Sequence, residues 1–217
     1  MIRTFTIDPN PYDEDVKVFK NKSVAIIEGV TILVGCNGCG KSTLIDFIER
    51  DLKKQNIPMI AFNNCKDGGS NAYGELVCKQ DYSMLSTLMC SSEGEGIIAN
   101  ICNFAGKIKR LVSSLNERDS ECWILFDATD SGLSIDNVID IKALFNDIIE
   151  DIKSKGVTPY IIFAANEYEM CIDNNCLNVQ ECKYETIKTY DRFKKIVLKT
   201  RSQKDKWYKQ RKKKNGN

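Results

Sequence analysis

The sequence predicts an α/β fold in which helices flank a mixed, mostly parallel sheet. Three observations support this prediction. Apolar strand-like runs alternate with amphipathic helical segments, a glycine-rich loop separates one such run from a helix, and the N-terminal segment carries short alternating runs typical of antiparallel strands. With 217 residues, 42% of them apolar, the chain can bury a substantial core. We expect one domain over residues 1–200 and a separate basic tail over residues 201–217.

The elements follow in order from apolar periodicity and turn signals. Ile2–Ile7 and Val16–Ile27 form the predicted antiparallel group, and Thr31–Val34 is a buried strand that leads into the glycine-rich loop. Lys41–Lys54 has apolar residues at helical spacing. The remaining predictions are strands at Ile57–Phe62, Cys122–Phe126 and Tyr160–Ala165, a hairpin at Leu177–Tyr184, and helices at Gly94–Leu115, Ile135–Lys155 and Tyr190–Lys199.

Charge is distributed unevenly along the chain. The net charge of the chain is +1. The segment from Lys188 onward contains 13 Lys and Arg but only two Asp, so its charge is about +11 and that of the preceding residues is about −10. We expect the chain beyond Arg201 to be disordered because few apolar residues interrupt its cations. Trp207 and Tyr208 lie among these cations, a combination that can bind phosphates and stack on bases. The tail is therefore a candidate nucleic-acid-binding segment, with a merely solvated tail as the equal alternative.

Neither membrane insertion nor secretion is predicted. The apolar runs are far shorter than the roughly 20 residues that a membrane helix needs, and the N-terminus lacks an apolar signal core. We therefore expect a cytoplasmic protein with reduced thiols, although the chain has ten cysteines. Because the chain has no histidine, and Cys171, Cys176 and Cys182 are loosely spaced, structural zinc is the weaker alternative.

The glycine-rich segment from Gly35 to Thr43 is the strongest functional motif. Its glycines let the backbone curl so that N–H groups point at phosphate oxygens, while Lys41 adds a positive charge and Ser42 a hydroxyl for Mg²⁺. The segment lies between a predicted buried strand and a predicted helix, as a phosphate-binding loop requires. A chance run of glycines is therefore the much weaker alternative. The predicted nucleotide-binding residues are Gly35, Asn37, Gly38, Cys39, Gly40, Lys41, Ser42 and Thr43.

Asp127 closes the apolar run Cys122–Phe126. Nucleotide-binding proteins place at this point a carboxylate that holds Mg²⁺, through water or together with the loop hydroxyl. Ser42 and Asp127 are therefore the predicted metal-binding pair.

Three segments together resemble ABC-type ATPases. The loop with its Asn37-Gly38 pair resembles the phosphate-binding loop of that family, and Asp127–Leu133 resembles its second carboxylate motif with the D-loop. Ser91–Glu95 resembles the signature sequence, although Ser92 and Glu95 would also form an ordinary capping box. The three motifs lie in the family's order, and the SMC and RecF branch is the most similar, particularly short ATPases of phages and prophages. The resemblance implies a P-loop NTPase fold with an ABC-like sheet and a reduced helical lobe, and ATP with Mg²⁺ as cofactors.

The resemblance also implies a homodimer in which two copies sandwich ATP between the loop of one and the signature of the other. The expected contacts across the interface are Ser91, Ser92, Glu93, Gly94, Glu95 and Ser131. The family's catalytic Glu follows the Mg²⁺-binding Asp directly, but Ala128 stands there in this chain, either naturally or by engineering. Asp130 either replaces the missing carboxylate or belongs to the D-loop structure, and Asn166 occupies the place of the family's switch histidine.

A missing general base costs roughly 10²–10⁴ in rate and leaves phosphate binding intact. We therefore predict an ATP-dependent dimer switch with firm ATP binding and slow hydrolysis, in a nucleic-acid-related process such as repair or a phage or antiphage function. If phage-encoded, the protein would act in the cytoplasm of a bacterial host. A non-hydrolysing ATP-bound subunit of a larger protein complex is the alternative. A transporter ATPase subunit is the least favoured because the chain shows no clear Gln switch.

Overall fold

The computed structural model describes residues 1–12, 17–63, 93–116, 118–127 and 134–214, without the side chains of residues 93–103 and 210–214. The N-terminal strands β1 (Ile2–Thr6) and β2 (Ser23–Ile27) pair antiparallel, with Ile2 opposite Ile27. Phe5, Val24 and Ile26 are buried while alternate positions are exposed, so one face of this pair joins the core. The predicted antiparallel group is confirmed.

Six further strands form the main sheet in the order β4-β5-β6-β3-β7-β8. The first five are parallel to their neighbours, and β8 is antiparallel to β7 as the predicted hairpin requires. β5 and β6 are buried along their whole length, which explains their unbroken apolar runs. The strands are β3 (Gly29–Val34), β4 (Met59–Asn63), β5 (Glu121–Asp127), β6 (Thr158–Ala164), β7 (Asn175–Asn178) and β8 (Lys183–Glu185).

Helices cover both faces of this sheet. The described helices are α1 (Lys41–Lys54), α2 (Glu93–Ser114), α3 (Ile135–Ser154), α4 (Tyr168–Cys171) and α5 (Tyr190–Lys214). One core cluster joins α1 to the β1–β2 pair and one side of the sheet, and a second cluster joins α2, α3 and part of α5 to the other side. The predicted α/β architecture with a mostly parallel sheet is confirmed. No helix in the described ranges is long and apolar enough to cross a membrane.

Phe126 fixes the end of β5 within a group of aromatic rings. It packs against Phe62, Phe104, Phe145 and Phe163, with ring centroids 5.2 to 6.3 Å apart. These rings come from two neighbouring strands and from α2 and α3, so the group ties both helices to the centre of the sheet. The residue that follows Phe126 is Asp127, whose position is therefore set by a packed core.

The C-terminal segment differs from its prediction. The last helix was expected to end at Lys199 and to be followed by disorder, but α5 continues to Lys214. The prediction of disorder is therefore wrong for residues 201–214. The helix continues past Lys199 because Thr200 and Lys204 both form hydrogen bonds with the glycine-rich loop. Composition alone does not reveal such tertiary contacts. The proposed domain boundary at residue 200 stays a prediction.

Candidate nucleotide site

A cavity of about 720 Å³ lies beyond the carboxyl ends of β3, β5 and β6. Its volume is within the range of small-molecule sites. Because β6 lies between β3 and β5, residues that end or follow these three strands meet at one edge of the sheet. The walls come from the glycine-rich loop with the start of α1, from Asp127, Ala164 and Asn166 at the sheet edge, from Tyr12 and Val18, and from α5.

The loop between β3 and α1 has a backbone that requires glycine. Gly38 and Gly40 have φ values of 73° and 105°, which residues other than glycine rarely adopt. A Cβ atom at Gly40 would also lie 2.6 Å from Cγ1 of Val18. Gly40 is the N-cap of α1 and has no side chain to cap its first N–H groups. The helix N-terminus, with its partial positive charge, thus faces the cavity as an anion-binding site.

Lys41 contributes a buried positive charge to this site. The residue is 8% exposed, and its Nζ donates hydrogen bonds to the carbonyl of Gly35 (2.8 Å) and to Oδ1 of Asn166 (2.9 Å). Both acceptors are neutral oxygen atoms, so they orient the ammonium without neutralising its charge. A phosphate group in the cavity would meet this charge in a partly dehydrated environment, where the attraction is strong.

Ser42 and Asp127, which the sequence predicts to bind a metal ion, are joined by a hydrogen bond. The hydroxyl of Ser42 donates to Oδ1 of Asp127 over 2.9 Å, and the aspartate is only 6% exposed. Hydroxyl and carboxylate oxygens are the hard donors that Mg²⁺ prefers, and Mg²⁺ commonly takes one or two protein ligands beside the phosphates. The pair therefore suits a Mg²⁺ ion that arrives with a nucleotide.

Asn63 is a site residue that sequence reasoning missed. Its Nδ2 donates to the second carboxylate oxygen of Asp127, Oδ2, over 2.9 Å. Asn63 ends β4, which pairs in parallel with β5 so that Asn63 lies directly opposite Asp127. In the sequence, Asn63 is a polar residue directly after a predicted strand. Placing it beside Asp127 would have required knowledge that β4 and β5 are neighbours in the sheet.

Two residues before β2 were also not predicted. Tyr12 and Val18 line the cavity, and the hydroxyl of Tyr12 forms a hydrogen bond with Oγ1 of Thr43 at the start of α1. Tyr12 is 69% exposed, so its ring forms a solvent-facing wall of the site. An aromatic ring in this position provides a surface on which a nucleobase can stack.

The two loop cysteines interact with each other. The backbone N–H of Cys39 donates to the carbonyl of Cys36 (3.2 Å), which closes a turn. The pKa of Cys36 is lowered to about 6, mainly by the hydrogen bond from the Cys39 thiol and also by the hydroxyl of Thr200 and the charges of Lys204 and Lys41, which together outweigh the effect of burial. The same thiol hydrogen bond and burial raise the pKa of Cys39. Cys39 is fully buried and acts as a structural part of the loop.

Helix α5 forms the remaining wall. Nζ of Lys204 donates to the carbonyl of Asn37 over 2.9 Å, and Trp207 and Tyr208 line the same cavity. From sequence, these two aromatic residues were placed in a tail that either binds nucleic acid or is merely solvated, and no α5 residue was connected to the nucleotide site. No pattern in the sequence marks this contact, since the two segments are more than 160 positions apart.

Most of the loop residues that were predicted to bind nucleotide line one cavity. Asn37, Gly38, Gly40, Lys41, Ser42 and Thr43 line the cavity with Asp127 and Asn166, and Gly35 contributes its carbonyl to Lys41. Ser91, Ser92, Ala128, Asp130 and Ser131 lie outside the described residues. Glu93, Gly94 and Glu95 fall in the first turn of α2, whose side chains are not described there. Their predicted roles stay predictions.

Strand β3, the loop, helix α1 and the Ser42–Asp127 pair together define a P-loop NTPase fold. No family model and no curated protein sequence matches the chain.

Among solved structures, the chain is similar to a nucleotide-free ATP-binding cassette from an ABC transporter, with 16% identity and a TM-score of 0.48 over 92% of this chain and 96% of that one. It is also similar to CbiO1 from Clostridium perfringens, part of the ABC transporter complex CbiONQ (16% identity, TM-score 0.45, 84% and 86% covered). A third is Stu0660 of Streptococcus thermophilus (10% identity, TM-score 0.46, 86% and 76% covered). Likenesses this weak do not by themselves assign a function.

Proposed function

We propose that this chain is an ABC-type ATPase domain that binds MgATP in the cavity and hydrolyses it slowly. The observation that carries the proposal is the convergence of a buried lysine, an uncapped helix N-terminus and a serine–aspartate pair on one cavity. The first two favour a polyphosphate, and the third favours the metal ion that accompanies it. Adenine is inferred from the resemblance of the motifs to ABC-type sequences.

Each residue has a distinct part in this proposal. The loop N–H groups and Lys41 bind the phosphates and hold them against the start of α1, while Ser42 and Asp127 supply oxygen ligands for Mg²⁺. Bound Mg²⁺ would neutralise charge that develops on the phosphates during transfer. Asn166 keeps the Lys41 ammonium at the sheet edge through its 2.9 Å hydrogen bond. Its side chain can contact phosphate or water but cannot carry a proton as histidine does.

Slow turnover is proposed because Ala128 directly follows Asp127 in the sequence. ABC-type ATPases carry a glutamate at this position, so the chain lacks their usual general base. Asp130 is the nearest carboxylate in the sequence after Asp127 and is the alternative base. Binding of phosphate and Mg²⁺ does not depend on this base, so affinity for ATP should be retained.

We further propose that MgATP joins two copies head to tail, and that its hydrolysis separates them. In such a dimer, Ser92 of the partner subunit would approach the terminal phosphate together with the other signature residues and Ser131. Support comes from the position of Ser91 and Ser92 immediately before α2, which begins at Glu93. A phosphate at that point would meet a helix N-terminus, which attracts anions.

The test measures molar mass by light scattering, with and without MgATP, while phosphate release is followed in parallel. The chain and an Ala128→Glu variant are compared, and Lys41→Met serves as the variant without nucleotide binding. We expect ATP to double the mass of the chain, and Ala128→Glu to raise turnover by roughly 10²-fold or more. A mass that does not respond to ATP, although ATP binds, would exclude the dimer switch.

Two other functions have weaker support. A permanently ATP-bound subunit of a larger complex is favoured by Ala128 and would show stable ATP-dependent dimers without turnover of either variant. A nucleic-acid-related process, in a phage or its bacterial host, is favoured by the basic end of α5, where residues 201–214 carry eight Lys and Arg against one Asp. Both alternatives use the same nucleotide site as the main proposal, and they differ from it in the process or complex that the ATP-bound protein serves.

A further inference from the structure

Helix α5 is fixed to the phosphate-binding loop at Thr200. The hydroxyl oxygen of Thr200 accepts a hydrogen bond of 2.9 Å from the backbone N–H of Cys36, and the residue is 1% exposed. Nε2 of Gln180 donates to the carbonyl of the same threonine over 3.3 Å. The helix is thus held in a defined position where it passes the loop, and residues one turn further along the same face are directed at it.

Lys204 lies one helical turn after Thr200 and extends along the loop. Its Nζ donates to the carbonyl of Asn37 over 2.9 Å, and its Cδ would be 3.6 Å from a Cβ atom built on Gly38. Lys204 lines the same cavity as Lys41 and Ser42. The bond to Asn37 uses one of the three N–H donors of an ammonium group, and its acceptor is neutral.

The ammonium groups of both lysines donate to carbonyl oxygens in the first half of the loop. Lys41 donates to the carbonyl of Gly35 and Lys204 to the carbonyl of Asn37, two positions further along. A lysine that follows such a loop reaches the β- and γ-phosphates. A terminal phosphate bound by Lys41 would therefore meet the part of the loop that also holds the Lys204 ammonium, whereas Thr43, at the start of α1, forms its hydrogen bond with Tyr12.

We propose that Lys204 is a second phosphate-binding cation, supplied by α5 of the same chain and directed at the terminal phosphate of ATP. This inference rests on the proposed function, since it needs ATP in the cavity. Its consequence is that α5 distinguishes ATP from ADP, because only ATP carries the phosphate that Lys204 contacts. Trp207, one turn further along the helix, lines the same cavity as Lys204.

Isothermal titration calorimetry with MgATP and MgADP tests the inference on the full chain. In Lys204→Gln we expect ATP affinity to fall roughly 10-fold or more, as for loss of a hydrogen bond to a charged group, and ADP affinity to fall less than about 3-fold. Lys204→Arg should retain most of the preference for ATP. Lys206→Gln is the matched control, because Lys206 is an exposed cation on the same helix that does not line the cavity.

The outcomes separate this inference from the proposed function. An equal loss for ATP and ADP in Lys204→Gln would overturn it, because Lys204 would then only hold the loop through Asn37. Unchanged ATP affinity in Lys204→Gln, with binding abolished by Lys41→Met, would overturn this inference alone. Unchanged affinity in Lys41→Met as well would overturn the proposed function itself.

Discussion

At the scale of single residues, Asn63 shows how a site depends on a side chain outside its sequence motifs. Its amide donates to Oδ2 of Asp127 while Ser42 donates to Oδ1, so both carboxylate oxygens have a fixed direction. A carboxylate held in this way is ready to bind a metal ion without reorganisation. Asn63 contacts Asp127 and is not among the residues that line the cavity, and we infer that it is a positioning residue for Asp127.

We predict that Asn63→Ala weakens binding of MgATP about 10-fold and leaves binding of metal-free ATP nearly unchanged. The physical reason is that the carboxylate loses the donor that orients its Oδ2 atom, which matters only when Mg²⁺ is bound. Calorimetric titration with excess Mg²⁺ and with EDTA measures both quantities. Asp127→Asn is the reference variant, which should lose nearly all of the difference between the two conditions. An equal loss with and without Mg²⁺ in Asn63→Ala would show a general disturbance of the fold instead.

The residues found from sequence and those missed differ in one physical respect. Lys41, Ser42 and the glycines lie in one continuous segment with the spacing that a phosphate-binding loop requires, so the pattern can be identified without knowledge of the fold. Asp127 was found because it ends an apolar run. Asn63 and Tyr12 reach the site through strand pairing and tertiary contact, and their positions in the sequence carry no comparable constraint.

At the scale of elements, strands and helices with strong apolar periodicity were predictable, and the part of α5 beyond Lys199 was not. The bounds of α1 agree with the prediction at both ends because a glycine and polar residues mark them. In α5 the residues after Thr200 have almost no apolar periodicity, so composition indicated disorder. The contacts of Thr200 and Lys204 with the loop supply stabilisation that a local pattern cannot show.

We predict that Thr200→Val separates α5 from the loop and lowers the free energy of unfolding by about 1–3 kcal/mol, because the N–H of Cys36 loses its acceptor in a buried position. The pKa of Cys36 should also rise from about 6, since the Thr200 hydrogen bond is one of the contacts that lower it. Denaturant unfolding measures the first effect, and the pH midpoint of Cys36 alkylation, followed by mass spectrometry, measures the second. Thr200→Ser keeps the hydroxyl and should resemble the unmodified chain. A Thr200→Val variant with unchanged stability and midpoint would contradict this account of the anchor.

At the scale of the whole molecule, the charge asymmetry and the nucleotide site meet in one helix. The middle of α5 contacts the loop through Thr200 and Lys204, and its last residues, Arg211–Lys214, are an unbroken run of cations. A ligand of those cations would therefore bind to a helix that also lines the nucleotide cavity. This continuity offers a physical route by which nucleic acid and ATP could influence each other through differential contacts with α5.

The nucleic-acid hypothesis is best tested at the far end of α5, because removing all of residues 201–217 would also remove Lys204 and Trp207 from the nucleotide site. We predict that replacing the four cations Arg211–Lys214 with glutamine weakens binding of a single-stranded oligonucleotide. The slope of log affinity against log salt should also decrease in magnitude by roughly 3, as expected when about four phosphate contacts are lost. The control variant replaces Lys22, Lys54, Lys109 and Lys155, which are exposed on other parts of the molecule. Fluorescence anisotropy over a range of salt concentrations measures both slopes. If the two variants weaken binding equally, the end of α5 contributes only through the overall positive charge of the protein. If neither variant weakens binding, the nucleic-acid hypothesis is wrong and α5 keeps only its proposed role at the nucleotide site.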